Sequence, residues 1–515
     1  MIDVDSSKPC LVVPRGVKAK YVALSHCWGG RISTLLTTKT LATFQVALPY
    51  SSLPANFRDA IAIAKELGIK YLWIDSLCIL QDSKSDWASE SKKMGNIYRN
   101  ATITISAEAS TGSTAGILRR ASGQASPLGS VLLRISSEED AKVSAERRHF
   151  YEEDLRSLDI DSPLSRRGWV LQEAILSSRI LYYGNKSIFW KCRSGVEAAN
   201  GVPAGAATPS YRYLEVSAVI HQDDRQTSGC KVDSVVEVLE DYYKIVSAYS
   251  HRQLTFGSDK LVAFSGLSQL LQPTIDSSYL AGIWSGDINH GLLWYQDTES
   301  CKHVQPYRAP TWSWAVTDEP IIMATPDREP SELDMRLLEY KVVPRDSSNT
   351  FGEMIFAQIT VDGFTMPLIR SKQMVEFLHP EDTIGNCFFD EQGQEGREEM
   401  GFADTYTSII PVSSPNDGGD EFLLSVKTRH GQEEDWTIEH NSFSPVTYVA
   451  LFVKVDVPHS QEALWAHGLV LREVSVDSSS NNTFERVGYF RIDYKYAWNL
   501  APRLEENKRL IITLI

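Results

Sequence analysis

Along the first hundred residues, short apolar runs alternate with longer segments in which apolar positions recur every three or four residues. Tyr21-Val22-Ala23-Leu24 reads as a buried strand that ends in Ser25, His26, Cys27 and Trp28 and is broken by Gly29-Gly30. Pro54 and Asn56 precede a helix in which Ala60, Ile63, Ala64 and Leu67 share one face, and Gly68 closes it. Tyr71 to Ile74 form a second strand. Trp87 to Tyr98 form another helix with Met94, Ile97 and Tyr98 on one side, and Ala101 to Ser106 are a β-branched third strand. The β-α-β-α-β order predicts a parallel sheet with right-handed crossovers, which puts every strand's carboxyl end on one rim.

Residues 107–162 are rich in Ser, Gly and charge and read as an inserted excursion with one helix around Ser137 to Asp154. A helix follows from about Arg167 to Ser177, then a strand from Arg179 to Tyr183 and another from Ile188 to Lys191. Residues 195–235 are loop-like, whereas Val235 to Tyr249 and Asp259 to Leu271 are helical in pattern and expected to cap the sheet. Beyond Trp314 alternating segments such as Ile355 to Val361 and Tyr448 to Val455, separated by polar loops such as 390–399, predict a mostly antiparallel β region. The expected plan is an α/β domain over 1–195, a helical and loop region over 196–319, and a β-rich domain over 320–515.

Composition narrows the class. A chain of 515 residues exceeds one core, and 43% apolar against 23% charged residues is the profile of a folded protein. A formal charge of −15 argues against a long track along nucleic acid or an anionic membrane. Seven Cys without a CxxC pair fit a reducing compartment, and neither a leader pattern nor an apolar run of membrane length is present in the sequence. The expectation is a soluble, cytoplasmic protein whose partners are a nucleotide or other small molecule and a further copy or protein, with no nucleic acid and no membrane span.

In open parallel sheets ligands bind outside the carboxyl ends of the strands. That rim would collect Ser25, His26 and Cys27 from the first strand, Asp75, Ser76 and Cys78 from the second, and Ser106 and Glu108 from the third. Plainer uses stand beside the chemical ones. Asp75 can cap its own turn, and Cys27 and Cys78 can be small buried hydrophobes. Neighbours on a strand face opposite ways, so His26 pairs more readily with Cys78 than with Cys27. A zinc site from His26, Cys27, Cys78 and Cys192 would lack any chelating pair, and no metal is expected. GxGxxG and GxxxxGK[ST] loops are absent, which disfavours ordinary dehydrogenases, kinases and GTPases. Trp169 and Glu173 lie four apart on one helix, where they are either an aromatic plane beside a working carboxylate or a core Trp beside an ion-paired Glu.

Three blocks, "YVALSHCWGG", "LPANFRDAIAIAKELGIKYLWIDSLCILQD" through "MGNIYRNATITISA", and "RGWVLQEAILSSRILYY", together resemble the heterokaryon-incompatibility (HET) domain of filamentous fungi over about residues 21–192. The resemblance implies self/non-self recognition with a cell-death reaction, and an α/β fold distantly like the TIR domain, a Rossmannoid parallel sheet with flanking helices. TIR enzymes that cleave NAD carry a Trp and a Glu four apart on a helix at the rim. By that resemblance Glu173 is the catalytic carboxylate, with Asp75 and His26 beside it, and NAD is a substrate and not a cofactor. Ser25, Trp28, Cys27, Cys78, Arg166, Arg167 and Trp169 would contact the substrate. The chemistry is sensible, because a carboxylate can stabilise the oxocarbenium-like cation formed as nicotinamide leaves. The long excursion at 107–162 departs from a compact TIR domain. Two alternatives stay open: an enzyme acting on another small molecule, for example in fungal metabolite biosynthesis, through the His/Asp/Cys rim, and a non-catalytic module that signals by self-association.

Overall fold

The computed structural model describes residues 1–13, 16, 18–118, 130–134, 140–144, 153, 155–192, 195–199, 235–296, 306–326, 328–368, 385–389, 406–412, 421–427, 433–436, 448–455, 466–474, 482–492 and 509–515. The chain divides into two units, Met1–His221 and Gln222–Ile515.

The first unit runs β1 (Ile2–Asp3), β2 (Cys10–Leu11), β3 (Tyr21–Ser25), α1 (Leu41–Val46), α2 (Ala55–Glu66), β4 (Tyr71–Trp73), α3 (Asp75–Cys78), α4 (Lys84–Ser91), α5 (Met94–Asn100) and β5 (Ile103–Ser106). It continues with β6 (Ser130–Arg134), β7 (Asp140–Ser144), α6 (Leu155–Asp161), α7 (Gly168–Leu176), β8 (Ile180–Tyr183), β9 (Ile188–Cys192) and β10 (Gly195–Ala198). Eight strands form one sheet in the order β10-β9-β8-β5-β3-β4-β1-β2. The central four, β8-β5-β3-β4, are parallel, as the β-α-β alternation predicts.

Both margins of this sheet are antiparallel. β1 and β2 are two-residue strands, too short to leave a periodic signal; β1 pairs back onto β4 and β2 onto β1. β9 returns beside β8 after the turn at Gly184 to Ser187. The Glu153 carboxylate holds that turn by accepting from the backbone N–H groups of Asn185, Lys186 and Ser187 at 2.8, 2.8 and 2.9 Å.

Alternation along β3 sends Val22 and Leu24 to one face, where Phe57, Ala60, Ile61 and Ala64 of α2 cover them together with Leu72, Ile74 and Ile105. Ala23 points to the other face, into a cluster of Trp73, Ile79, Met94, Tyr98 and Ala101 against which Trp169 of α7 packs. The helix expected from Trp87 to Tyr98 is two helices, with Ser83 capping the first by accepting from Asp86 N at 3.2 Å. Within the excursion, 140–144 pair with 130–134 as a hairpin and the helix comes later, at Leu155–Asp161, so a helix across Ser137 to Asp154 is corrected. The alternation of polar and apolar residues in Asp140-Ala-Lys-Val-Ser144 suits a pleat better than a helix. Of the segment expected to be loop, 195–198 are strand β10 and 200–234 lie outside the described residues, as do 390–399.

In the second unit, α8 (Val235–Ser250) and α9 (Asp259–Ile275) are followed by β11 (Tyr279–Leu280), β12 (Ile283–Trp284), α10 (Ile288–Gly291), β13 (Trp294–Gln296) and β14 (Ile321–Met323). Tyr242, Tyr249, Phe264, Trp284 and Trp314 interlock edge to face among these elements. Then come β15 (Arg336–Pro344), β16 (Met354–Leu368), β17 (Gly385–Phe389), β18 (Tyr406–Val412), β19 (Glu421–Lys427), β20 (Glu433–Trp436), β21 (Tyr448–Val455), β22 (Ala466–Glu473), β23 (Thr483–Ile492) and β24 (Arg509–Leu514). These ten strands form one sheet. The long β16 pairs with β24 through 359–364 and with β21 through 365–368, and β24 also pairs with β23, so β16, β21, β22, β23 and β24 close into a ring.

Candidate functional site

The rim opens because two neighbouring strands end at different levels. β3 and β5 stay paired as far as Ser25 opposite Ser106, whereas β3 and β4 part after Ala23 opposite Trp73. Asp75, an acid well suited to a first helical turn, starts α3 at that point. Ser25 O accepts from Ala107 N at 3.0 Å on the β5 side, so the Leu24 carbonyl faces the side that β4 has vacated. Tyr98 of α5 fills that place, donating its hydroxyl to Leu24 O at 3.1 Å.

The loop beyond β3 is tied down on both flanks. Trp28 Nε1 donates to Asp75 Oδ2 at 2.8 Å, and Asp75 Oδ1 accepts from Ser76 N at 2.6 Å. Asp75 therefore caps its own turn and also anchors the loop of Ser25 and His26. Gly29 has φ +67°, and a Cβ there would lie 2.3 Å from the Gly112 Cα, so the close passage of these two loops requires glycine. Ser113 N completes the clasp by donating to Trp28 O at 3.2 Å.

Helix α7 brings the carboxylate. Arg167 stands at its N-cap and donates through its guanidinium to the His26 carbonyl. Glu173, 6% exposed, faces Ser25, Arg167, Asp75 and Tyr98. Its pKa rises to about 7, first because burial penalises the charge and also because Asp75 repels it, against the opposing pull of the Ser25 hydroxyl, the Arg167 guanidinium and the Tyr98 hydroxyl. The Ser25 hydroxyl lies against this carboxyl without an aligned hydrogen bond, and both Ser25 Oγ and Glu173 Oε2 are buried without a partner. Segments far apart in sequence thus meet as the spatial order of a parallel sheet requires.

The other candidates divide between the two faces. The His26 imidazole turns to α2 and sets its ring edge-on to Phe57 at 5.2 Å, away from the α7 face; burial first, and then Arg167, push its pKa down to about 4 despite the attraction of Asp75. Cys27 packs with Leu164 and Val170, and burial lifts its thiol to about 11. Burial keeps this thiol protonated and among apolar side chains. Cys78 is half-buried in α3, its Sγ 3.5 Å from Ile74 N. Arg166 is exposed, and Trp169 rests edge-on against Trp87 at 6.4 Å.

Among the described residues of this unit, the buried side-chain polar atoms without a partner are Ser25 Oγ, His26 Nε2, Ser76 Oγ, Gln172 Oε1 and Glu173 Oε2. They all belong to the end of β3, the first turn of α3 and the middle of α7. Buried polar groups are paired almost everywhere in native proteins, so the atoms of this set on the α7 face make that end of the sheet the candidate site of the unit, while His26 Nε2 lies on the α2 face. Gln172 and Tyr98 escaped the reading of the sequence as site residues. Tyr98 left a trace, since a tyrosine on an apolar helix face carries a hydroxyl that must find a partner inside. Among the described residues no three His, Cys, Asp or Glu side chains are grouped to hold a metal ion, and no helix is long and apolar enough to cross a membrane.

The first unit is, then, an α/β domain with a parallel-stranded centre and a polar rim at its carboxyl end. Residues 21–173 match the family model described as heterokaryon incompatibility protein (HET), and this stretch is a HET domain. The match opens on the first residue of β3 and ends on Glu173. No curated protein and no solved structure matches the chain.

Proposed function

We propose that the rim of the HET domain is a hydrolytic site, related to that of TIR enzymes, which cleaves NAD at the bond between nicotinamide and ribose as part of a fungal self/non-self and cell-death response. The observation that carries this reading is the Glu173 carboxyl beside Ser25 and Asp75, buried, with Oε2 unpartnered. As the bond breaks, positive charge spreads over the ribose C1′ and ring oxygen, and an ionised Glu173 next to them stabilises that charge in a site that excludes water. Nicotinamide leaves neutral, so a single carboxylate is enough. Ser25 and Ser76 offer hydroxyls to a ribose, Asp75 keeps the loop in place through Trp28, and Arg167 fixes the His26 carbonyl at the rim.

The test is loss of NAD during incubation with the full chain. Wild type consumes NAD with a rate that rises with pH around a midpoint near 7, the value at which Glu173 ionises, and Glu173→Gln lowers it by about a hundredfold or more. Persistence of NAD with both proteins at high concentration removes the hydrolytic reading. The thiol-based alternative loses ground to the buried, protonated Cys27. A second reading has one observation in its favour. Asp75, Trp28 and Arg167 already bond to other protein groups, as they would in a recognition module whose rim is an interior fixture.

A further inference from the structure

An ionised Glu173 needs donors, and its surroundings are poor in them. The groups facing the carboxyl are Ser25 from β3, Asp75 from α3, Tyr98 from α5 and Arg167 from the start of α7, while Cys27 beyond β3 also feels its charge. Asp75 repels it, Arg167 spends one guanidinium N–H on the His26 carbonyl, Cys27 packs among apolar side chains, and neither the Ser25 nor the Tyr98 hydroxyl makes an aligned bond to it with the protons as they stand. His26 turns to the opposite face against Phe57.

Tyr98 is the hydroxyl among them that already has a strand carbonyl as its partner. It is 1% exposed, and its ring is held edge-on to Trp73 at 5.6 Å. Its oxygen sits 3.1 Å from Leu24 O, at the carbonyl that β4 leaves without a ladder partner, and also against Glu173. The packed ring fixes the oxygen, and the hydroxyl proton alone is free to rotate. One proton therefore has two acceptors, a strand carbonyl and a carboxyl group.

We propose that Tyr98 is the positioning residue for Glu173: its hydroxyl donates to the Leu24 carbonyl while Glu173 is protonated, and turns to the carboxylate once Glu173 has lost its proton. No proton passes between the two side chains. Glu173 releases its own to solvent, and Tyr98 stays neutral, held so by its burial and by the neighbouring carboxyl groups. When the phenol turns, the Leu24 carbonyl loses its donor, so ionisation of Glu173 is linked to the end of β3, next to Ser25. The catalytic consequence rests on the NAD-cleaving reading, whereas the exchange of hydrogen-bond partners does not.

The experiment is a titration of the full chain with glutamate labelled at the carboxyl carbon, the Glu173 signal being assigned by its absence in Glu173→Gln. Removing the phenol donor with Tyr98→Phe, while Ser25 and Arg167 stay in place, is expected to move the Glu173 midpoint up from about 7 by about one pH unit, with the fold retained by circular dichroism. An unchanged midpoint in the folded variant overturns the proposal. A second measurement serves if Tyr98→Phe does not fold. With tyrosine labelled at the ring carbon bearing oxygen, the Tyr98 signal of the wild type should shift with the same midpoint and lie flat in Glu173→Gln. A Tyr98 signal that ignores this midpoint in the wild type overturns the proposal equally. Both readouts are independent of turnover: a shifted midpoint without NAD loss keeps the role of Tyr98 and discards the hydrolase, and an unshifted one with NAD loss does the reverse.

Discussion

Glu173 and His26 are both buried at the rim, and burial drives them to the neutral form from opposite sides. For Glu173 the folded pKa of about 7 lies above its ordinary 4.5, so its share of stability is whole below the lower value and is lost as pH rises through the upper one. Glu173→Gln is therefore expected to be more stable than wild type at pH 8, by up to about 3 kcal/mol, and level with it at pH 4. Thermal melts of the two proteins across that range check this. For His26 the folded pKa of about 4 lies below its ordinary 6.5, so its contribution is whole above 6.5 and is lost as pH falls toward 4. His26→Gln should flatten that part of the acid limb in denaturant titrations, by about 3 kcal/mol at most. The identity of both residues was plain from the sequence, whereas their protonation was not, because it depends on which helix covers each one.

Among the elements, β3 and α2 were the most legible. The apolar run Tyr21 to Leu24 and the face of Ala60, Ile63 and Ala64 are local patterns that need no knowledge of partners, and the described strand and helix follow them, whereas Leu67, expected on the same face, lies just past the end of α2 and is exposed. Phe57, fully buried between α2 and the His26 ring, ties that helix to the rim. Phe57→Ala should cost about 3 to 5 kcal/mol, read as a shift of the denaturation midpoint. The loop after β3 depends on glycine. Gly29→Ala sets a Cβ against the Gly112 backbone at positive φ, and a loss of about 2 kcal/mol or more is expected in the same measurement. Short strands and the 130–144 hairpin were not legible. β1 and β2 have two residues each and exist by pairing, and β6 and β7 are made by the register between them.

At the scale of the molecule, the β-rich character of the C-terminal half was evident from alternation, but its closure was not. β24 joins β16 antiparallel and β23 parallel, contacts that span much of the second unit's sequence. Arg486 of β23 is a further case. It is fully buried, stacks 3.6 Å from the Trp294 ring and donates to the carbonyls of Leu292 and Trp294, a place no sequence pattern assigns to an arginine. Arg486→Ala should cost about 3 kcal/mol or more and be visible as a lowered melting temperature of the chain. The sequence by itself determined the class of the first unit, its HET kinship and the residue types offered at the rim, since these rest on periodicity and on motifs a few residues long. Only the tertiary structure decided that Glu173 meets Ser25 and Tyr98 while His26 and Cys27 turn elsewhere. Those outcomes depend on where β4 ends beside β3 and on which helix lies over each face, relations between segments far apart along the chain.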